Sequence, residues 1–188
     1  EYETDDTDRN RGDIMRRWED VSLRQRMFDA VAAYGWLSNK PYVKKSKIGA
    51  IGWSWGGLVA LFNQKMAERM PLPNGGFKAT IAFYPNLKWV IGTNHWPRSG
   101  EIQQPILILY GEDDILESEE SYDQLLAEDH PADIKVIGFD GGYKKFDELG
   151  EYREKYHPRS GYFPKGFQQK AFDQSVKEIN KFLSKYHR

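Results

Sequence analysis

Four short apolar runs constrain this chain more than any other feature: KIGAIG (47–52), KATIAFYP (78–85), PILILYG (105–111) and DIKVIGF (133–139). Each is about the length of one strand, and several are apolar on both faces instead of alternating. Strands of that kind are buried on two sides, which argues a mostly parallel sheet with helices on both faces, an α/β class. In such sheets the working groups sit on loops beyond the carboxyl ends of the strands. The turns after Gly52, Pro85, Gly111 and Phe139 are therefore the places to look for chemistry.

Between the runs the pattern turns helical. From about Asp20, residues Leu23, Met27, Val31, Tyr34 and Leu37 recur at three- and four-residue spacing until Asn39, Lys40 and Pro41 stop them. Helices are also expected from Gly57 to about Met70 and from Ser118 to Asp129, and a closing helix carries Phe172, Val176, Ile179 and Leu183 on one stripe. The stretch from 140 to about Lys165 reads as a long polar and aromatic connection.

At 188 residues the chain is read as a single domain over 1–188, opening on a polar segment, 1–19, with no signal-peptide pattern. Aromatics at 14% supply core material although the hydrophobic fraction is 39%. A net charge of −1 provides no basic field for nucleic acid and no polybasic signal for a membrane surface. No run reaches the roughly 18 apolar residues of a membrane span. With no cysteine, disulfides, thiolate metal sites and a cysteine nucleophile are excluded, while cytoplasm and periplasm fit equally. Nothing in the sequence sets an oligomeric state.

The first run ends in Gly52-Trp53-Ser54-Trp55-Gly56-Gly57 and passes straight into a helical pattern. Gly-x-Ser-x-Gly between a strand and a helix is the nucleophile elbow, in which a strained turn lifts the serine hydroxyl above the sheet. Gly52 and Gly56 fill the positions where a Cβ is expected to obstruct that turn. Ser54 is the candidate nucleophile, and the backbone N–H of Trp55 the candidate oxyanion donor at the helix N-terminus. A serine in an ordinary glycine turn is the plainer alternative.

After the third run comes YGEDDILES, where Asp113 and Asp114 compete for the role of the acid that orients a base. One can cap the following helix while the other points inward. Asp114 is favoured for the inward position.

GWSWGG, AFYP, PILILYGEDD and the closing FDQSVKEINKFL together resemble the dienelactone hydrolase family of the α/β-hydrolase fold, from about Leu23 onward. That resemblance implies a small ester or lactone substrate and no cofactor, and the sequence itself carries no metal-ligand spacing. The family's Gly-Glu-x-Asp pattern falls on Gly111, Glu112 and Asp114, and a serine-type member would use Ser54. Two departures accompany it. The family's histidine base lies in a segment like Tyr-Pro-Gly-Ala-x-His-x-Phe-Asp, which here reads FDGGYKKFD with Lys144 at the histidine position. The fold's first strands, source of the other oxyanion donor, are not recognisable ahead of the elbow. The chain therefore reads as the C-terminal portion of a larger hydrolase, with the elbow strand exposing a pairing edge.

Lysine is a base only when deprotonated, and a neighbouring carboxylate favours its charged form. A Lys144–Asp114 ion pair is thus expected to be a plug and not a relay. Among the histidines, His157 and His95 are the candidate substitute bases, whereas His130 precedes the last strand and His187 lies in the tail. The expected function is hydrolysis of a carboxylic ester or lactone through Ser54. The alternatives are a catalytically impaired or non-enzymatic homologue, suggested by Lys144, and a prolyl-oligopeptidase-like peptidase.

Overall fold

The computed structural model describes residues 21–69, 72, 75–157 and 161–186, with the side chains at 64–69 and 157 excepted. The polar segment 1–19 and His187 lie outside the described residues. The elements in chain order are α1 (Leu23–Ser38), β1 (Ala50–Trp53), α2 (Trp55–Arg69), β2 (Thr80–Phe83), β3 (Ile106–Gly111), α3 (Glu119–Ala127), β4 (Ile134–Phe139), β5 (Arg153–His157), β6 (Gly161–Lys165) and α4 (Gln169–Tyr186). Short 3₁₀ turns at Lys45–Lys47 and Leu87–Trp89 interrupt the connections before β1 and after β2.

Strands β1 to β4 form one sheet in the order β1-β2-β3-β4, every pair parallel. The order explains the burial. β2 and β3 are flanked on both sides, and all their residues are buried. Ile106, Leu107, Ile108 and Leu109 have no exposed surface at all, and each such side chain contributes about 1.5–3 kcal/mol of burial.

β1 differs from the sequence expectation of a buried strand over 47–52. It runs Ala50–Trp53, and Lys45–Lys47 forms the 3₁₀ turn instead. Its partner is β2 alone, so it lies at an edge of the sheet among the described residues. Ile51 and Trp53 are accordingly about half exposed, at 49% and 45%. The amides of Ala50 and Ser54 face β2, donating to Ala79 O and Phe83 O, so those of Ile51 and Trp53 alternate toward the outer edge.

Helix α1 starts at a capping box, in which Ser22 and Gln25 satisfy each other's backbone amides. Leu23, Met27, Val31 and Tyr34 face inward as their spacing predicts, and α1 packs on α2, which in turn packs on β1 and β2. In α4 the buried residues are Ala171, Ser175 and Phe182, and Val176 is 40% exposed. The inward stripe is rotated by about one position from the Phe172–Val176 line at the start of the helix, while Ile179 and Leu183 pack against the core. The connection after β4 holds an antiparallel hairpin, β5–β6, that the sequence reading left as irregular.

Candidate active site

Ser54 stands between β1 and α2, at the carboxyl end of the strand, with φ of 54°. A non-glycine residue in the left-handed region is strained, and such residues gather at functional sites. Here the four non-glycine cases among the described residues are Ser54, Tyr84, Asn86 and Lys145. Two of them sit on the turn after β2, and Lys145 follows Lys144 in the loop after β4. The strain is therefore concentrated where three strand ends converge.

The turn at Ser54 is held by close backbone packing. A Cβ on Gly52 would overlap the backbone of Gly56, so glycine is required there. Gly56 itself is different from the expectation: a Cβ on it meets nothing within 4 Å. The constrained partner is Gly57, whose Cβ would lie 3.1 Å from Phe83 O and 3.2 Å from Pro85. Ser54 O accepts the first helical bond from Leu58 N at 3.1 Å, and Trp55 opens α2.

Of the two competing aspartates, Asp114 is 4% exposed and Asp113 faces solvent. Asp114 Oδ1 accepts from Leu116 N at 3.0 Å, whereas Oδ2 has no hydrogen-bond partner among the described residues. Lys144 Nζ lies 3.7 Å from that oxygen, so the expected ion pair is present. It is joined by a carboxylate that the sequence reading missed: Glu117 Oε1 is 3.6 Å from the same ammonium. Glu117 Oε1 also accepts from Asn86 N at 2.8 Å, and Tyr122 Oη donates to Oε2.

One ammonium thus faces two buried carboxylates. Burial pushes both acids up, against the pull of Lys144, and Glu117 reaches about 7. Lys144, itself 4% exposed, also donates to Tyr84 O at 3.1 Å and to Asn86 Oδ1 at 2.9 Å, and lies over the Tyr84 ring at 4.6 Å. Asn86 Nδ2 in turn donates to Ser54 Oγ at 3.4 Å. Ser54, Asn86, Lys144 and the two acids form one connected network.

A second cluster braces the rim. Trp53 Nε1 and Tyr84 Oη donate to the two oxygens of Asp147 at 2.5 and 2.7 Å. Trp53 also stacks on Phe83, with centroids 5.4 Å apart. Among the other tryptophans, Trp96 is buried in the core, and Trp55 and Trp89 are half-buried. His95 is half-buried in the loop after β2, with its amide donating to Thr93 Oγ1. His157 ends β5, and its side chain lies outside the described residues. His130 precedes β4, its ring nitrogens shielded and unpartnered among the described residues. Among the described residues no cluster of histidine and carboxylates is arranged to hold a metal ion, and no helix is long and apolar enough to cross a membrane.

A parallel sheet with a strained serine at the strand-to-helix turn is of the α/β-hydrolase type. The model of the dienelactone hydrolase family matches residues 1–183, and the chain belongs to that family. No curated protein matches it significantly. Several solved structures are similar in fold, three of them as follows. A dienelactone hydrolase-like promiscuous phosphotriesterase from metagenomic libraries has 20% identity and a TM-score of 0.56, over 87% of this chain and 61% of that one. An esterase from Pyrococcus furiosus has 16% identity and a TM-score of 0.58, over 86% and 62%. Thermogutta terrifontis esterase 2, phosphonylated by cyclosarin, has 20% identity and a TM-score of 0.60, over 88% and 66%. The chain thus spans 61% to 66% of the length of these three structures.

Proposed function

We propose that the protein is a hydrolase of carboxylic esters or lactones that works through Ser54, within a single α/β-hydrolase-type domain. The observation that carries this reading is the left-handed backbone of Ser54, at φ of 54° between β1 and α2. A fold has no structural need for serine in that conformation, and glycine would adopt it without strain.

Ser54 Oγ attacks the substrate carbonyl, the C–O π electrons move onto oxygen, and the Trp55 N–H steadies the oxyanion. Collapse expels the alcohol, and water then attacks the acyl-enzyme to release the acid. Asp114 stands where an acid would orient a base, here facing the Lys144 ammonium, and the substrate is a small molecule. The ammonium of Lys144 has donors only, so the serine proton passes to solvent. Turnover is then that of a triad without its base, roughly 10³–10⁴-fold above the reaction in water.

A second reading is favoured by the same Lys144 geometry: a homologue that binds an ester without turning it over. An alkyl fluorophosphonate and a p-nitrophenyl ester separate the two. Labelling of wild type but not of Ser54→Ala, with a burst of p-nitrophenol, supports the hydrolase. Absence of both supports the binding homologue.

A further inference from the structure

We infer that Asn86 is a side-chain oxyanion donor for the acyl transfer at Ser54, and that Lys144 occupies the base position in order to aim its amide. This inference rests on the serine reading above and adds a side-chain donor to the backbone one. Trp55 supplies one N–H, and a tetrahedral oxyanion is held by more than one donor.

The amide's orientation follows from chemistry. An ammonium offers donors and no acceptor. The Asn86 atom 2.9 Å from Lys144 Nζ is therefore Oδ1, and Nδ2 turns toward Ser54. A histidine at 144 with its acceptor nitrogen facing Asn86 would permit the opposite flip, whereas lysine permits one flip alone.

The amide is also fixed in place. Asn86 is 6% exposed, its backbone sits at φ 55° and ψ 50°, and its own N–H is anchored on Glu117 Oε1 at 2.8 Å. Lys144 is pinned in turn by Tyr84 O, Asp114 and Glu117. A donor held in this way needs no rearrangement when charge develops beside Ser54. Its 3.4 Å separation from Oγ is of the loose kind that tightens once a reacting group is bound. Asn86 is a catalytic residue in this scheme, and Lys144 a positioning residue.

The test reacts the intact chain with an alkyl fluorophosphonate. The Ser54 Oγ–P bond forms, the P–F bond breaks, fluoride leaves and the serine proton passes to water, while the phosphonyl oxygen takes the oxyanion's place. Asn86→Asp keeps the acceptor for Lys144 and removes the donor, so its second-order rate constant should fall about 10²-fold. Wild-type rate in a variant with native circular dichroism overturns the role. A second measurement uses the wild type alone: the ¹⁵N side-chain resonances of Asn86, assigned by their loss in Asn86→Asp, should shift when Ser54 is phosphonylated. Unmoved resonances on a labelled protein overturn the role and leave the serine reading standing. A wild type that does not label at Ser54 overturns both.

Discussion

Gly111 and Gly142 meet backbone to backbone, so closely that a Cβ on Gly111 would overlap the carbonyl of Gly142. Asp113 N donates to the same carbonyl at 2.8 Å. This contact closes the loop after β3 against the loop after β4, and thereby brings Lys144 to Asp114.

Gly111→Ala should lower stability by about 1–3 kcal/mol, the usual cost of forcing atoms into a packed interior, and should weaken the network through Lys144. Gly56→Ala is the contrast, since a Cβ there meets nothing within 4 Å. In a first helical turn it should be neutral or slightly stabilising. Urea denaturation of the two variants checks both, and equal losses would contradict the packing argument.

The buried acids give stability a pH dependence of definite sign. Glu117 is raised from 4.5 to about 7 in the folded protein by burial. Between those values the folded form holds a proton that the unfolded chain has released. Stability therefore falls as pH rises from about 4.5 to about 7, by on the order of 3 kcal/mol from this group. Asp114, raised for the same reason, adds in the same direction. Urea midpoints across pH 4.5–8 for wild type and Glu117→Gln read this out, and the variant should show the flatter profile.

Lys144→His would place an imidazole against Asp114 Oδ2, the oxygen that now faces the Lys144 ammonium. A positioned general base is typically worth 10²–10⁴-fold, so hydrolysis of p-nitrophenyl acetate should rise by about 10²-fold or more. A folded variant without that gain would show that the missing imidazole is not what limits turnover.

Ser54→Gly should raise stability while abolishing fluorophosphonate labelling. Relief of the left-handed conformation returns about 1–2 kcal/mol, offset by about 0.4–1 kcal/mol of added freedom in the unfolded chain. A net gain of roughly 0.5–1 kcal/mol by urea denaturation is expected. A net loss would mean that the serine hydroxyl contributes more to the fold than its hydrogen bond with Asn86 suggests.

The parts of this molecule that were legible in its sequence are those with a local signature. β2 and β3 are apolar on both faces, and both are interior. Ser54 is marked by its glycine-flanked turn, and the burial of Asp114 was anticipated over that of its neighbour. The open edge of β1 was expected as well, but its bounds were not, because Lys45–Lys47 turns as a 3₁₀ helix and the strand begins only at Ala50. The β5–β6 hairpin was hidden by charge and by Pro164 within REKYH and GYFPK. Glu117 lay in an acidic run with Glu112, Asp113, Glu119 and Glu120, and only the folded chain separates the one buried against Lys144 from those at the surface. Asn86, Tyr84 and Asp147 join the site across 32 to 94 residues of chain, a convergence that no short motif encodes.

The outward-facing amides of β1 have a consequence of their own. Ser54 rises from the last strand of the described sheet, so its hydroxyl stands at a seam and not in the middle of a continuous surface. Any strand that lay alongside Ile51 and Trp53 would end in a loop of its own beside that hydroxyl. One wall beside that hydroxyl would then be furnished by that strand's loop, opposite the Asn86 side chain that lies 3.4 Å from Ser54 Oγ.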